Sequence, residues 1–500
     1  MHYVYAGRAG TAHSAAWLGF LAELGTTSVV AIEELGSVAL DGAGMLVIDG
    51  AWDAALPESL NVERLPLPTV LVGTYGVRLA EQLNLKFGSN YGCMCLKEDA
   101  IVWDATHPVF DGVTDSIEAK APPANFRAFS AILDVPATVP ALRVLRDAID
   151  TPGQVTVGFD FLDSPDCEIL AGGFNEKTSA HFAIARQSRF LHWGFAGSPE
   201  QYTDQGRALL VNCLRYLVRF AADPLREGRT SDPRSILQLM LSMEGWRGVG
   251  LPAEMRVPMM QRFLQSLFAM PVPPAAFGER PERLAWFEAN RPFLHNDGQG
   301  WLIDVDAQAL GLAIDDPALL EACLNAPADR RSQQLWLRYT GRQLDDPQRE
   351  RAWLDRHREP LYFTEWGGYR WVSRLEPAQP RPRPAAPVIA AAQATLGAAR
   401  YGDRLRGMIL LDIPPGFHAY APDSDEGLPL SLQGDAGFEV LEPLQIEAKE
   451  GRLSGQAGLM FSARGDGTEL RLRLRLQLCD SLSCQMPQTL ELRCPITETA

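Results

Sequence analysis

The chain has no apolar run approaching the ~18 residues of a membrane-spanning helix, so no membrane span is expected. It opens on Tyr3-Val4-Tyr5-Ala6-Gly7, a strand pattern. A basic segment followed by a hydrophobic stretch and a small-residue cleavage site is lacking, and the expectation is a cytoplasmic protein. Positive charge is short as well. Against 62 Asp and Glu stand 46 Lys and Arg, for a net charge of −16. That balance argues against a nucleic-acid partner and offers no basic stripe for anionic lipid. Gly7-Arg8-Ala9-Gly10 is neither a dinucleotide fingerprint nor a Walker loop, and no cofactor is expected. Eight cysteines in 500 residues are too few and too scattered for a disulfide scaffold, and zinc spacing is absent.

What is present divides the chain into parts. Residues 1–222 alternate short apolar strands with helical patterns, among them the strand candidates Tyr3–Ala6, Met45–Asp49, Thr69–Val72 and Phe190–Trp193. This alternation predicts a flavodoxin-like α/β domain, a mostly parallel sheet covered on both faces. A small ligand of such a sheet would bind beyond the strands' carboxyl ends, here Gly7–His13, Asp49–Trp52, Gly73–Gly76 and Gly194–Glu200. Residues 231–375 read as a helical domain. Asp304-Val-Asp306 and Asp315-Asp316 could be taken for metal ligands, but each stands where a helix start needs a cap; no metal is expected. The aromatic run Tyr362–Trp371 is expected to plug this region against a neighbour, with a ligand platform as the other reading. Residues 376–400 read as a Pro/Ala-rich linker, with a short helix in its alanine-rich end, and residues 401–498 as a β domain.

The β domain carries the most informative stretch. From Leu470 to Leu478 every second residue is leucine, and Arg471, Arg473, Arg475, Gln477 and Cys479 take the other face. This is a half-buried strand that delivers Cys479 to its wet face. Asp480-Ser481-Leu482-Ser483 then suits a turn toward Cys484. An extended chain would hold the two cysteines roughly 16 Å apart, and a disulfide needs Cα atoms within about 7 Å, so only a reversal permits one. The spacing leaves two readings open: a reachable redox pair, or two unpaired rim cysteines. Arg475, one face-repeat away, could favour the Cys479 thiolate. Cys93 and Cys95 lie two apart on one face of another strand. Cys167, Cys213, Cys323 and Cys494 sit among apolar neighbours and read as core residues.

Two resemblances sharpen this reading. Residues 404–496 resemble the immunoglobulin-like N-terminal domain of the thiol–disulfide interchange protein DsbD. The matching residues are Pro414–Pro422, Gly427–Leu430, Gln477-Leu-Cys479 and Cys484–Pro487. The resemblance implies a β-sandwich in which Cys479 and Cys484 are the catalytic pair, shuttling a disulfide to a protein thiol partner. In a reducing cytosol such a pair would rest as a dithiol. Residues 1–222 resemble the class I glutamine amidotransferase-like superfamily, near its ThuA-like branch, through His107–Gly112, Val70–Gly76 and Phe190–Glu200. At the elbow where active members carry cysteine stand Thr74 and Tyr75, and Ser198 replaces the histidine, so glutaminase chemistry is not expected. The expected function is thiol–disulfide exchange through Cys479 and Cys484. The alternative is a non-enzymatic scaffold with a degenerate α/β domain and a docking module.

Overall fold

The computed structural model describes the chain apart from residues 9, 39, 58–59, 89–91, 124–125, 127–134, 150–152, 159–160, 162–163, 231, 243–252, 377–390, 425–427, 436, 442–443, 447–450, 480–483, 486 and 499–500. The described residues have a multidomain α/β plus β architecture.

The N-terminal sheet begins as the alternation predicts. β1 (His2–Gly7) pairs in parallel with β2 (Thr26–Ala31) and β3 (Met45–Asp49). β3 pairs with β4 (Thr69–Val72), and β4 with β12 (Phe190–Trp193), again in parallel. Side-chain alternation explains why the inner strands are largely apolar. Tyr3, Tyr5, Met45, Val47, Val70 and Val72 face helices α1 (Ala12–Leu24) and α3 (Asp204–Val218). Val4, Ala6, Leu46, Ile48 and Leu71 face α2 (Gly73–Gln82). Both faces of β3, β4 and β12 are covered, so these strands are largely apolar, with His192 buried among them, whereas the edge strand β2 is only partly covered.

Past β12 the sheet turns antiparallel, which corrects the expectation of a mostly parallel sheet. β11 (His181–Gln187) pairs antiparallel with β12, and β10 (Cys167–Gly173) with β11. β6 (Asp99–Ile101), β8 (Val139–Arg143) and β7 (Glu118–Lys120) continue outward in that sense. β5 (Gly92–Leu96) joins through β9 (Gly153–Val157), which pairs with β11. The cause lies in the connections. A parallel crossover needs a dozen or more residues and usually a helix, whereas β11 and β12 are joined by Ser188 and Arg189 alone, with Ser188 at φ 51°.

Residues 234–373 hold seven helices among the described residues, from Arg234–Ser242 to Pro347–His357, and two hairpins, Leu294–Asn296 with Trp301–Ile303 and Leu361–Thr364 with Arg370–Ser373. The aspartates take the capping role expected of them. Asp304 accepts the N–H groups of Asp306 and Ala307, and Asp316 that of Ala318. Asp315 pairs with buried Arg234 at 2.9 Å and Asp306 with Arg331 at 3.3 Å. Trp366, Tyr369 and Trp371 are buried, and Trp371 Nε1 donates to the Ile314 carbonyl within the helical region's own core.

The C-terminal β region forms a separate sheet. Gln393–Tyr401 pairs with Arg404–Asp412 and Gln488–Glu498, Arg404–Asp412 with Gln456–Arg464, and Glu469–Leu476 with Gln488–Glu498. The alanine-rich stretch is therefore strand, not helix: Leu396 packs inward and Ala394 and Ala398 pack against the same core, the small side chains fitting one half-covered face. Leu470, Leu472, Leu474 and Leu476 all point into that core, as their period requires.

Candidate functional site: two cysteine pairs in contact

Cys479 and Cys484 are disulfide-bonded, with Cα atoms 4.0 Å apart. They face each other as an isolated antiparallel bridge, so the chain reverses between them. The turn residues 480–483 that the sequence points to lie outside the described residues. The base of this hairpin is pinned by His418: its N–H donates to the Cys479 carbonyl and its carbonyl accepts the Cys479 N–H, both at 2.8 Å. The His418 ring stands edge-on to Tyr420, 5.2 Å between centroids. Burial, with Lys177 and Arg452 nearby, pushes its pKa down to about 3, so the imidazole is neutral at ordinary pH.

The expectation that Cys479 lies on a wet face is overturned. Cys479 is 0% exposed and Cys484 6%. The period-two logic holds only as far as the strand stands free. At its far end the polar face of the leucine strand slides beneath β5 of the N-terminal sheet. There the Cys484 N–H donates to the Gly92 carbonyl at 2.8 Å, and Gln477 Nε2 to Met94 Sδ at 3.0 Å. Arg475, expected beside the Cys479 thiolate, instead packs over the Trp52 ring, 4.1 Å from its centroid.

What covers the pair is a second disulfide. Cys93 and Cys95 of β5 are bonded to each other, their Cα atoms 5.3 Å apart. Cys93 pairs with Val155 of β9, and the register shifts before Leu96 meets Gly153. Cys93 Sγ lies 3.7 Å from Cys484 Sγ, van der Waals contact between sulfurs 391 residues apart in sequence. Cys93, Cys95, Tyr420, Cys479 and Cys484 share one buried apolar cluster. Sequence reasoning finds the shared face of Cys93 and Cys95 but not their pairing; the C-x-C spacing is the available signal. Of the remaining four cysteines, Cys213, Cys323 and Cys494 are buried as expected and Cys167 is half-buried.

Other sequence candidates resolve differently. β4 enters α2 through Gly73 at φ 56°, where a Cβ would meet Ala196 Cβ at 3.1 Å, and a Cβ on Gly76 would strike the Leu71 carbonyl carbon at 2.4 Å. These glycines make a tight strand–helix elbow. Thr74 at that elbow donates to Gln154 Oε1 at 3.3 Å. Ser198 caps a short turn with Gln201. His192 is fully buried, with Nε2 3.2 Å from the Gln154 carbonyl, and burial pushes its pKa down to about 4: a core histidine, as expected. At the carboxyl ends of β1 and β3, Asp49 is held by His13 Nε2 at 2.5 Å, by Tyr5 Oη at 3.1 Å and by Arg8 at 3.8 Å. Its oxygens are occupied by neighbours from β1, the loop after it and α1. Among the described residues no group of three or more His, Cys, Asp or Glu is placed to hold a metal, and no helix is long and apolar enough to cross a membrane. A cavity of about 600 Å³ opens in the middle region between Asn296, Asp304, Arg338 and Gly367–Arg370.

Similarity to known proteins is slight. The N-terminal periplasmic domain of ScsB from Proteus mirabilis matches at 15% identity over 22% of this chain and 49% of that one, TM-score 0.17. The chain thus spans about half of that structure. A putative GMP synthase protein from Thermoplasma acidophilum matches at 14% identity over 44% of this chain and 94% of that one, TM-score 0.25. The reduced N-terminal domain of DsbD from Neisseria meningitidis matches at 16% identity over 20% and 83%, TM-score 0.13. No family profile and no curated protein matches the chain. At these levels the likeness carries no functional argument, and the geometry of the sulfurs has to supply it.

Proposed function

We propose that this protein exchanges disulfides with a protein thiol partner through Cys479 and Cys484. The carrying observation is that these two sulfurs are bonded on adjacent arms of one hairpin, where their bond does little for stability. Cross-linking residues only five apart in sequence removes about 2 kcal/mol of loop entropy in the chain-entropy model, less than a long-range bridge would. Such a pair is better suited to opening and closing than to stapling. The covering by β5 changes one part of the expected mechanism. The pair is reached from outside only when the hairpin lifts from Gly92 and Met94, so exchange with a partner is gated by that contact. Direction is set by the surroundings: a reducing compartment leaves dithiols, an oxidising one disulfides.

The reading extends to the domain division, with residues 1–222 and 401–498 as the two bodies that meet at the sulfurs, the second an immunoglobulin-like sandwich. The test is a redox titration of the full chain carrying Cys93→Ser and Cys95→Ser, equilibrated in glutathione buffers and read by alkylation of Cys479 and Cys484. A reversible two-electron transition of that pair is the expected result. Thiols that never re-form the bond, or a bond that no buffer opens in the folded chain, leave only a passive docking module.

A further inference from the structure

We propose that Cys93 and Cys95 are a second redox pair, and that Cys484 hands a disulfide directly between it and Cys479. This rests on the exchange reading of the C-terminal pair and adds to it a resident intramolecular partner. The observation is the 3.7 Å contact of Cys93 Sγ with Cys484 Sγ, made between two pairs that each close too short a loop to be a staple. The contact is also aligned by backbone: the Cys484 N–H donates to the carbonyl of Gly92, the residue before Cys93. Two disulfides brought together from opposite ends of the chain, in an apolar cluster that excludes water, are placed as reactants would be.

The chemistry balances as follows. A dithiol of a partner protein first reduces Cys479–Cys484: one partner thiolate attacks and forms a mixed disulfide, the second resolves it, and the partner leaves as a disulfide. The Cys484 thiolate then attacks Cys93 Sγ; the Cys484–Cys93 bond forms, the Cys93–Cys95 bond breaks, and Cys95 leaves as a thiolate that takes up a proton. The Cys479 thiolate next attacks Cys484 Sγ, restoring Cys479–Cys484 and releasing Cys93 as a thiolate, which is protonated in turn. Two electrons and two protons have passed from the C-terminal pair to the C-x-C pair. A protein disulfide reacting with the Cys93/Cys95 dithiol, once the hairpin lifts, returns the system to its start. Reactants held in contact gain an effective concentration that can reach on the order of 10⁵ M.

The experiment is mixed-disulfide trapping in the full chain. With Cys95→Ser and Cys479→Ser together, Cys93 and Cys484 are left facing each other. After reduction and mild oxidation, non-reducing peptide mapping is expected to find the Cys93–Cys484 link at least tenfold above the Cys95–Cys484 link of the Cys93→Ser/Cys479→Ser control. Equal, low yields in both overturn the relay. Should the double variants not fold, the wild-type chain answers instead: reduce with one equivalent of dithiothreitol, remove the reagent, and alkylate at intervals. Free thiols that redistribute between the two pairs at a rate independent of protein concentration support the relay, and a frozen distribution overturns it. If the relay fails while the Cys93→Ser/Cys95→Ser chain still titrates reversibly, the exchange function stands without it. If that chain does not titrate, the function itself has failed.

Discussion

At the residue scale the two C-terminal cysteines are not equivalent. Cys484 touches Cys93, while Cys479 is enclosed between His418 and its own partner. Cys484→Ser is therefore expected to abolish thiol exchange at this pair. Cys479→Ser is expected to leave a Cys484 that stalls as a mixed disulfide with whatever it attacks. Intact-mass measurement after challenge with a protein disulfide separates the two. Glu168 offers a second residue-level expectation. Burial works against its carboxylate, but His107, Arg186 and Tyr216 all hydrogen-bond to it and hold its pKa down to about 2, against an ordinary 4.5. A carboxyl with a depressed folded pKa contributes stability above the unfolded value and loses it as pH falls, here between about 4.5 and about 2. Glu168→Gln should flatten the acid-unfolding curve across that window. At neutral pH it should cost about 1 kcal/mol, the partial exposure of the site screening the rest. The His107–Gly112 motif is thus explained structurally: His107 reaches Glu168, and Asn212 Nδ2 binds the Val109 and Asp111 carbonyls, tying the turn to α3. His192 acts in the same sense at milder acidity. Its folded pKa of about 4 lies below the ordinary 6.5, so stability falls as pH drops from 6.5 toward 4, and His192→Gln should lessen that fall in thermal melts at pH 5 and 7.5.

At the scale of elements, propensity and period did most of what they are able to do. The leucines of Glu469–Leu476 are core because a strand's side chains alternate, and Leu474→Ala is expected to cost about 2–5 kcal/mol by urea denaturation. Gly73 can be read as a turn glycine from sequence, but the positive φ that demands it appears only with the elbow. Gly73→Ala should cost about 1–2 kcal/mol for the left-handed backbone, plus the crowding of Ala196. Asp304 shows how a pair of acids can mislead. It caps the helix Val305–Leu310 and also receives Arg338 and Tyr339, so its charge is satisfied by the fold rather than by a metal. The alanine-rich stretch suggests a helix because alanine is the best helix former; the strand that forms there is selected by its neighbours on both sides, not by its own preference.

For the whole molecule, the meeting of the two sheets decides the chemistry. The contacts at that seam include Cys484 with Gly92 and Cys93, Gln477 with Met94, and Arg475 over Trp52. Arg475→Ala removes a cation–π contact worth about 0.5–2 kcal/mol, and should raise the iodoacetamide reactivity of reduced Cys484 by about twofold to thirtyfold without shifting the melting of either sheet. Unchanged reactivity would mean that Trp52 and Arg475 do not hold the seam.

The sequence by itself determined the parallel strands and the helices of the N-terminal region, the leucine core of the C-terminal sheet, and the caps at Asp304 and Asp316. All of these depend on residues near one another along the chain, whose spacing records the periods of strand, helix and turn. Only the tertiary structure decided that the N-terminal sheet turns antiparallel past β12, that Cys479 is covered, and that Cys93 lies against Cys484. Those outcomes join segments up to 391 residues apart, and no local period encodes which surface a folded strand will meet.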